Sequence, residues 1–99
     1  MRRILNYNLG TNGDVITIEG QLAKILKVDL QNGRPVLWAE VDDEAELCRL
    51  NVAAIGTCWD LEAGFFANYI GSVEVDGGVW HYYWGFVPEN ENEEGEEEV

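Results

Sequence analysis

The segment "AKILKVDLQNGRPVLWAEVD", residues 23–42, decides how the chain is read. Asn32-Gly33 stands between two apolar runs. Both residue types tolerate the positive φ angles of a two-residue type I′ turn, so the pair predicts a β-hairpin. Such a turn fixes register: Gln31 opposes Arg34 and Val28 opposes Leu37. Directly opposed residues share a face of the sheet. One face then collects Leu26, Val28, Leu30, Leu37, Ala39 and Val41 and reads as core. The other collects Ile25, Lys27, Asp29, Gln31, Arg34, Val36, Trp38 and Glu40 and reads as solvent-facing. Trp38, opposite Lys27, is out of place there. Either the Lys27 stem or another element covers it, or it is an aromatic contact for a partner.

The rest of the chain follows the same pattern of short strands and turns. "RRILNYNL" (2–9), "VITIE" (15–19), "ELCRLNVAAIG" (46–56), "NYIGSVEVD" (68–76) and "VWHYYWGF" (79–86) read as further strands. "TCWDLEAGFFA" (57–67) lacks alternation and reads as a loop or one short helical turn. Gly77-Gly78 marks a second hairpin, with Val75 opposite Trp80 and Val73 opposite Tyr82. A turn at Asp76-Gly77 shifts the partners and keeps the faces. Tyr69, Val73, Val75, Trp80, Tyr82, Trp84 and Phe86 then belong to the core. His81 and Tyr83 face outward with Ser72, Glu74 and Val79. The fold class is therefore all-β: a small antiparallel β-sandwich or partly open barrel of about seven strands.

Residues 1–87 form the single domain. Residues 88–99, "PENENEEGEEEV", hold seven Glu and one large apolar residue, and are expected to be a disordered acidic tail. The 99 residues carry 19 acids and 6 bases, a net charge of −13. The domain alone keeps 12 acids against 6 bases, so it is acidic without the tail. This balance argues against direct binding of nucleic acid or an anionic membrane, and favours a partner with a basic surface. There is no apolar run long enough for a membrane span and no secretory leader pattern in the first residues, so a cytoplasmic location is expected. Cys48 and Cys58 are then expected to be reduced, and to act as small apolar residues.

Little in the sequence points to chemistry. His81 is the only histidine, and nothing in the sequence brings Cys58 or Ser72 to it as a nucleophile. Cys48, Cys58 and His81 match no zinc spacing. Asp42, Asp43, Glu44 and Glu46 crowd one loop without the alternating oxygens and central glycine of a calcium loop. No glycine-rich loop precedes a helix, as phosphate binding would need. Neither catalytic residues, a metal nor a cofactor is expected.

Segment 23–42, "IGT" at 55–57, "YIGSV" at 69–73 and the Val79-Trp80-His81 triplet resemble a group of short, uncharacterised tailed-phage proteins. The likeness extends over most of residues 1–87 and is most specific in the central segment; the acidic tail departs from it. The group has no established activity, so no functional residues carry over. The resemblance implies a phage origin, residence in the cytoplasm of an infected host cell, and a host-directed accessory role such as blocking a defence enzyme.

Together these readings give a non-enzymatic protein that binds a host protein. The contact set is Trp38, Lys27, His81 and Tyr83, with Asp42, Asp43, Glu44 and Glu46 supplying charge. Two alternatives stand beside it: a sponge for a small nucleotide-like ligand, and a virion or assembly component that self-associates into a homo-oligomer.

Overall fold

Asn32 and Gly33 take φ angles of 55° and 80°, and the strands they join pair in the register that turn dictates, Gln31 with Arg34 and Val28 with Leu37. The computed structural model describes residues 1–61 and 68–87. Seven strands run through them: β1 (Arg2–Asn8), β2 (Val15–Gly20), β3 (Leu22–Gln31), β4 (Arg34–Asp42), β5 (Cys48–Gly56), β6 (Asn68–Val75) and β7 (Gly78–Phe86). They form two open antiparallel sheets, ordered β1-β4-β3 and β2-β5-β7-β6. The expected acidic tail, and residues 62–67 of the stretch without alternation, lie outside the described residues.

One residue, Gln21, carries the chain from β2 in the larger sheet to β3 in the smaller. Its carbonyl accepts from the Asp42 N–H at 3.0 Å. Its side-chain amide donates to the carbonyls of Asp43 and Ala45, both at 3.1 Å. The corner is thereby fastened to the loop between β4 and β5. On the opposite side the sheets approach so closely that a Cβ at Gly71 in β6 would sit 3.1 Å from a Val28 methyl in β3.

The core lies between the inner faces. Val28 and Leu37 come from the three-stranded sheet; Ile18, Val52, Ala54, Val73 and Tyr82 come from the four-stranded one. Removing this apolar surface from water is the main favourable term in folding, about 25 cal/mol per Å². Tyr82 is the largest fully buried side chain. Its hydroxyl donates to the Gly10 carbonyl at 2.7 Å, tying the β1–β2 connection to β7. Burial, with a smaller contribution from the Asp14 charge, pushes its pKa up to about 12.

Bulges move several side chains from where strict alternation puts them. In β3 the register slips between Ile25 and Lys27, leaving Leu26 as the extra residue. Ile25 therefore turns to the core, and Leu26, expected inside, is 38% exposed. Leu30, also expected inside, sits at the hairpin end and is exposed. In β6 a slip between Tyr69 and Gly71 turns Ile70 inward and Tyr69 outward. A one-residue insertion reverses the faces of everything beyond it. The second hairpin turns at Asp76 and Gly77, with φ angles of 53° and 82°, so Val73 opposes Trp80 and Ser72 opposes His81. Phe86, placed in the core by its parity, is exposed at the end of β7 and packs edge-on against Trp84.

Candidate partner-binding surface

The expected contact residues fall into three separate places. Tyr82 and Leu37 point into the core, so their chain neighbours point the other way. His81 and Tyr83 thus lie on the outer face of the four-stranded sheet. Trp38 lies on the outer face of the three-stranded sheet, on the opposite side of the molecule. Asp42, Asp43, Glu44 and Glu46 belong to the end of β4 and the turn before β5. Ile55, which pairs with His81, is seven residues along β5 from Cys48, about 23 Å at strand rise.

Trp38 sits in β4 between Asn6 of β1 and Lys27 of β3, and is half-buried. The polar groups around it satisfy one another. Lys27 pairs with Asp29 at 3.2 Å. Arg2 pairs with Glu40 at 2.8 Å and Asp42 at 3.3 Å. The Asn6 amide donates to Gln31 Oε1 at 2.9 Å. Asn6 is opposite Trp38 and Gln31 is opposite Arg34, so this bond reaches across β4 above Val36. That roof accounts for a valine only 2% exposed on a face expected to meet solvent.

The acidic cluster is also tied internally. The Met1 amine donates to Asp43 at 2.7 Å and approaches Asp42 at 3.6 Å. Hydrogen bonding to Asp43 raises the amine's pKa above its ordinary value. The Glu44 N–H on Asp42 Oδ1, assisted by the amine and Arg2, holds Asp42 below the usual carboxylate value against the opposing effect of desolvation. Glu44 and Glu46 are exposed, and no metal-holding group of three or more ligating side chains occurs among the described residues.

The outer face of the four-stranded sheet is different. Ile55, His81 and Ser72 form one row across β5, β7 and β6; Ala53, Tyr83 and Tyr69 form the next. Tyr69 meets Tyr83 edge-on at 5.1 Å between ring centroids and His81 at 6.4 Å. Both nitrogens of His81 face hydroxyls: Nε2 is 2.9 Å from Thr57 Oγ1 and Nδ1 is 3.5 Å from the Tyr69 oxygen. Beyond β5 the chain turns at Gly56–Trp59, closed by the Trp59 N–H on the Gly56 carbonyl at 3.1 Å. Cys58 takes a φ of 73° at its third position, where a type II turn favours glycine. The turn lays the Trp59 indole over Gly56, where a Cβ would meet it at 2.7 Å, and edge-on against Trp80 at 5.4 Å. A cavity of about 200 Å³ opens between Ile55, Thr57, Trp59, Leu61, His81 and Tyr83.

Apolar surface stays in water here: Tyr69, beside Tyr83 and His81, is 53% exposed and Leu61, at the cavity, 48%, while Trp59, 46% exposed, turns its indole to the Trp80 side of the sheet. Sequence reasoning put Tyr69 in the core and left Trp59 and Leu61 in an unassigned loop. Gly71 was the available signal for Tyr69, since a glycine inside a strand often marks a bulge. The charges are also unevenly divided. Five of the six bases, Arg2, Arg3, Lys24, Lys27 and Arg34, belong to the three-stranded sheet. Asp14, Asp60, Glu74 and Asp76 belong to the strands and turns of the four-stranded sheet. Its one base, Arg49, is six residues down β5 from Ile55.

Thr57, His81 and Tyr69 have the connectivity of a nucleophile, a base and an orienting group. The third member is a neutral phenol at the limit of hydrogen-bond reach, where a carboxylate would stabilise an imidazolium far better. The family model that matches the chain covers residues 1–93 and is described as Domain of unknown function (DUF7352); the chain belongs to that family. No curated protein and no solved structure matches it.

Proposed function

We propose that this member of a family without assigned function is a non-enzymatic binding protein, and that it docks a protein partner on the outer face of its four-stranded sheet. The observation that carries this reading is Tyr69, 53% exposed on that face beside Tyr83 and His81, with the half-exposed Leu61 lining the adjoining cavity. Exposed aromatics beside a cavity are typical of the anchors that dominate binding energy at interfaces. Carboxylates predominate in the elements that form this face, so it suits a partner presenting arginine, whose guanidinium can stack on Tyr69 and pair with acids. The tailed-phage resemblance makes a bacterial host protein the natural candidate, met in the host cytoplasm.

Fluorescence titration with an arginine-rich peptide tests this, with a matched glutamate-rich peptide beside it. Binding is expected for the first only, weakened by salt and by Tyr69→Ser. Equal binding of both peptides, or none, would remove the reading. A small planar ligand is the second reading, favoured by the Thr57–His81 pair at the cavity edge. The cavity's 200 Å³ is below the roughly 300–1,000 Å³ of ordinary ligand pockets, so the protein partner is preferred. Calorimetry with nucleosides and nucleotides separates the two.

A further inference from the structure

The four sheet edges are not alike. Edge strand β3 is bulged twice and edge strand β6 once, and bulges are a common protection against pairing with another chain. Strand β1 keeps unbroken register with β4 over seven residues. It contains no proline, and all its residues except Tyr7 are exposed. The bonds at its two ends give the direction of its backbone groups. The Asp43 N–H donates to the Met1 carbonyl and the Leu9 N–H to the Pro35 carbonyl. In an antiparallel ladder hydrogen-bonded residues alternate, so the odd residues face β4. The N–H and C=O groups of Arg2, Ile4, Asn6 and Asn8 therefore point to the open edge, with no backbone partner among the described residues.

We propose that this edge pairs with β1 of a second copy, antiparallel about a two-fold axis at Leu5. The sequence RRILNYN is self-complementary in that register. Arg2 opposes Asn8, Arg3 opposes Tyr7, Ile4 opposes Asn6, and Leu5 meets its own copy. All four outward residues then fall in hydrogen-bonded pairs, giving about eight inter-chain bonds, and no two like charges are opposed. The axis sits at a non-hydrogen-bonded pair, where side chains come closest. Leu5 and Ile4, 38% and 62% exposed, gain cover on the two faces. Leu5, Tyr7 and Val41 also line an open groove of about 340 Å³ with Arg3 and Glu19 at its sides, and the second copy closes it near the axis. The three-stranded sheets join as β3-β4-β1-β1-β4-β3. Strand β2 is also unbulged. The Ala54 N–H donates to the Asp14 carbonyl, so β2 turns only Val15, Thr17 and Glu19 to its edge, three residues against four. The pairing leaves both aromatic faces open, so it stands or falls separately from the proposed function.

Sedimentation velocity of the full chain over a wide concentration range tests the pairing. The wild type is expected to dimerise reversibly as concentration rises. Ile4→Pro removes an outward N–H without touching the β4 ladder, and should be monomeric at concentrations where the wild type is mostly dimer. Asn8→Arg puts a second arginine opposite Arg2 and should raise the dimerisation midpoint severalfold, which keeps the test decisive should the proline variant misfold. A wild type monomeric throughout, or a dimer indifferent to both substitutions, would overturn the proposal.

Discussion

The two outer faces begin alike. Each is the solvent side of an antiparallel sheet, and each turns a large aromatic away from the core. On the three-stranded sheet the neighbours close over it: Asn6 and Gln31 join above Val36, Lys27 holds Asp29, and Trp38 is left half-buried. On the four-stranded sheet Tyr69 remains about half exposed beside Tyr83 and His81, next to a cavity lined by the half-exposed Leu61, in elements where carboxylates outnumber bases. An outward aromatic therefore does not mark a binding surface by itself. What distinguishes Tyr69 is that its neighbours, though bonded to one another, leave about half of it exposed beside a cavity.

The largest expected effect acts on both faces together, through the core they share. The phenol of Tyr82 has its pKa raised to about 12. Its neutral form stabilises the fold fully below the ordinary tyrosine value near 10. That stability is lost as pH rises through 12. Circular dichroism should show cooperative alkaline unfolding in that window, with both faces lost together; a fold unchanged past pH 12 would contradict it. Next comes Trp38→Ala. Half-buried, it should cost about 2 kcal/mol of stability in a urea titration, below the roughly 3–5 kcal/mol of a fully buried tryptophan, and leave binding of the arginine-rich peptide unchanged. A loss of binding there would erase the distinction between the faces. Tyr69→Ser should do the reverse, weakening binding by about 1–2 kcal/mol with little change in the urea midpoint. Gln31→Ala unroofs Val36 and should cost about 0.5–1.5 kcal/mol. Arg2→Ala is the smallest, below about 1 kcal/mol, because its ion pairs are solvent-exposed.

Most of the fold was legible because it rests on local rules. Asn-Gly and Asp-Gly turns declare hairpins, and period-two alternation gives strand faces until a bulge intervenes. The bulge at Leu26 could not be read, since "KILK" offers no glycine or proline to mark it. The bulge beside Gly71 was only hinted at, and with it went Tyr69, the most exposed residue of the aromatic group. Trp59 was missed for another reason. Its position depends on a turn whose third residue, Cys58, is not a residue type that announces positive φ. His81 and Tyr83 were correctly placed outward by parity, while their separation from Trp38 depends on which strands join which sheet. That pairing is non-local: β2 leaves its sequence neighbour β1 and pairs with β5. The bond between Asn6 and Gln31 spans three strands and has no signature in the sequence around either residue.

The most direct measurement compares the two faces against one probe. The arginine-rich peptide is titrated into wild type, Tyr69→Ser and Trp38→Ser under identical low-salt conditions, with each variant shown to be folded by circular dichroism. The expected result is a roughly five- to thirtyfold loss of affinity for Tyr69→Ser and wild-type affinity for Trp38→Ser. A loss confined to Trp38→Ser would place the docking surface on the three-stranded sheet and contradict the assignment.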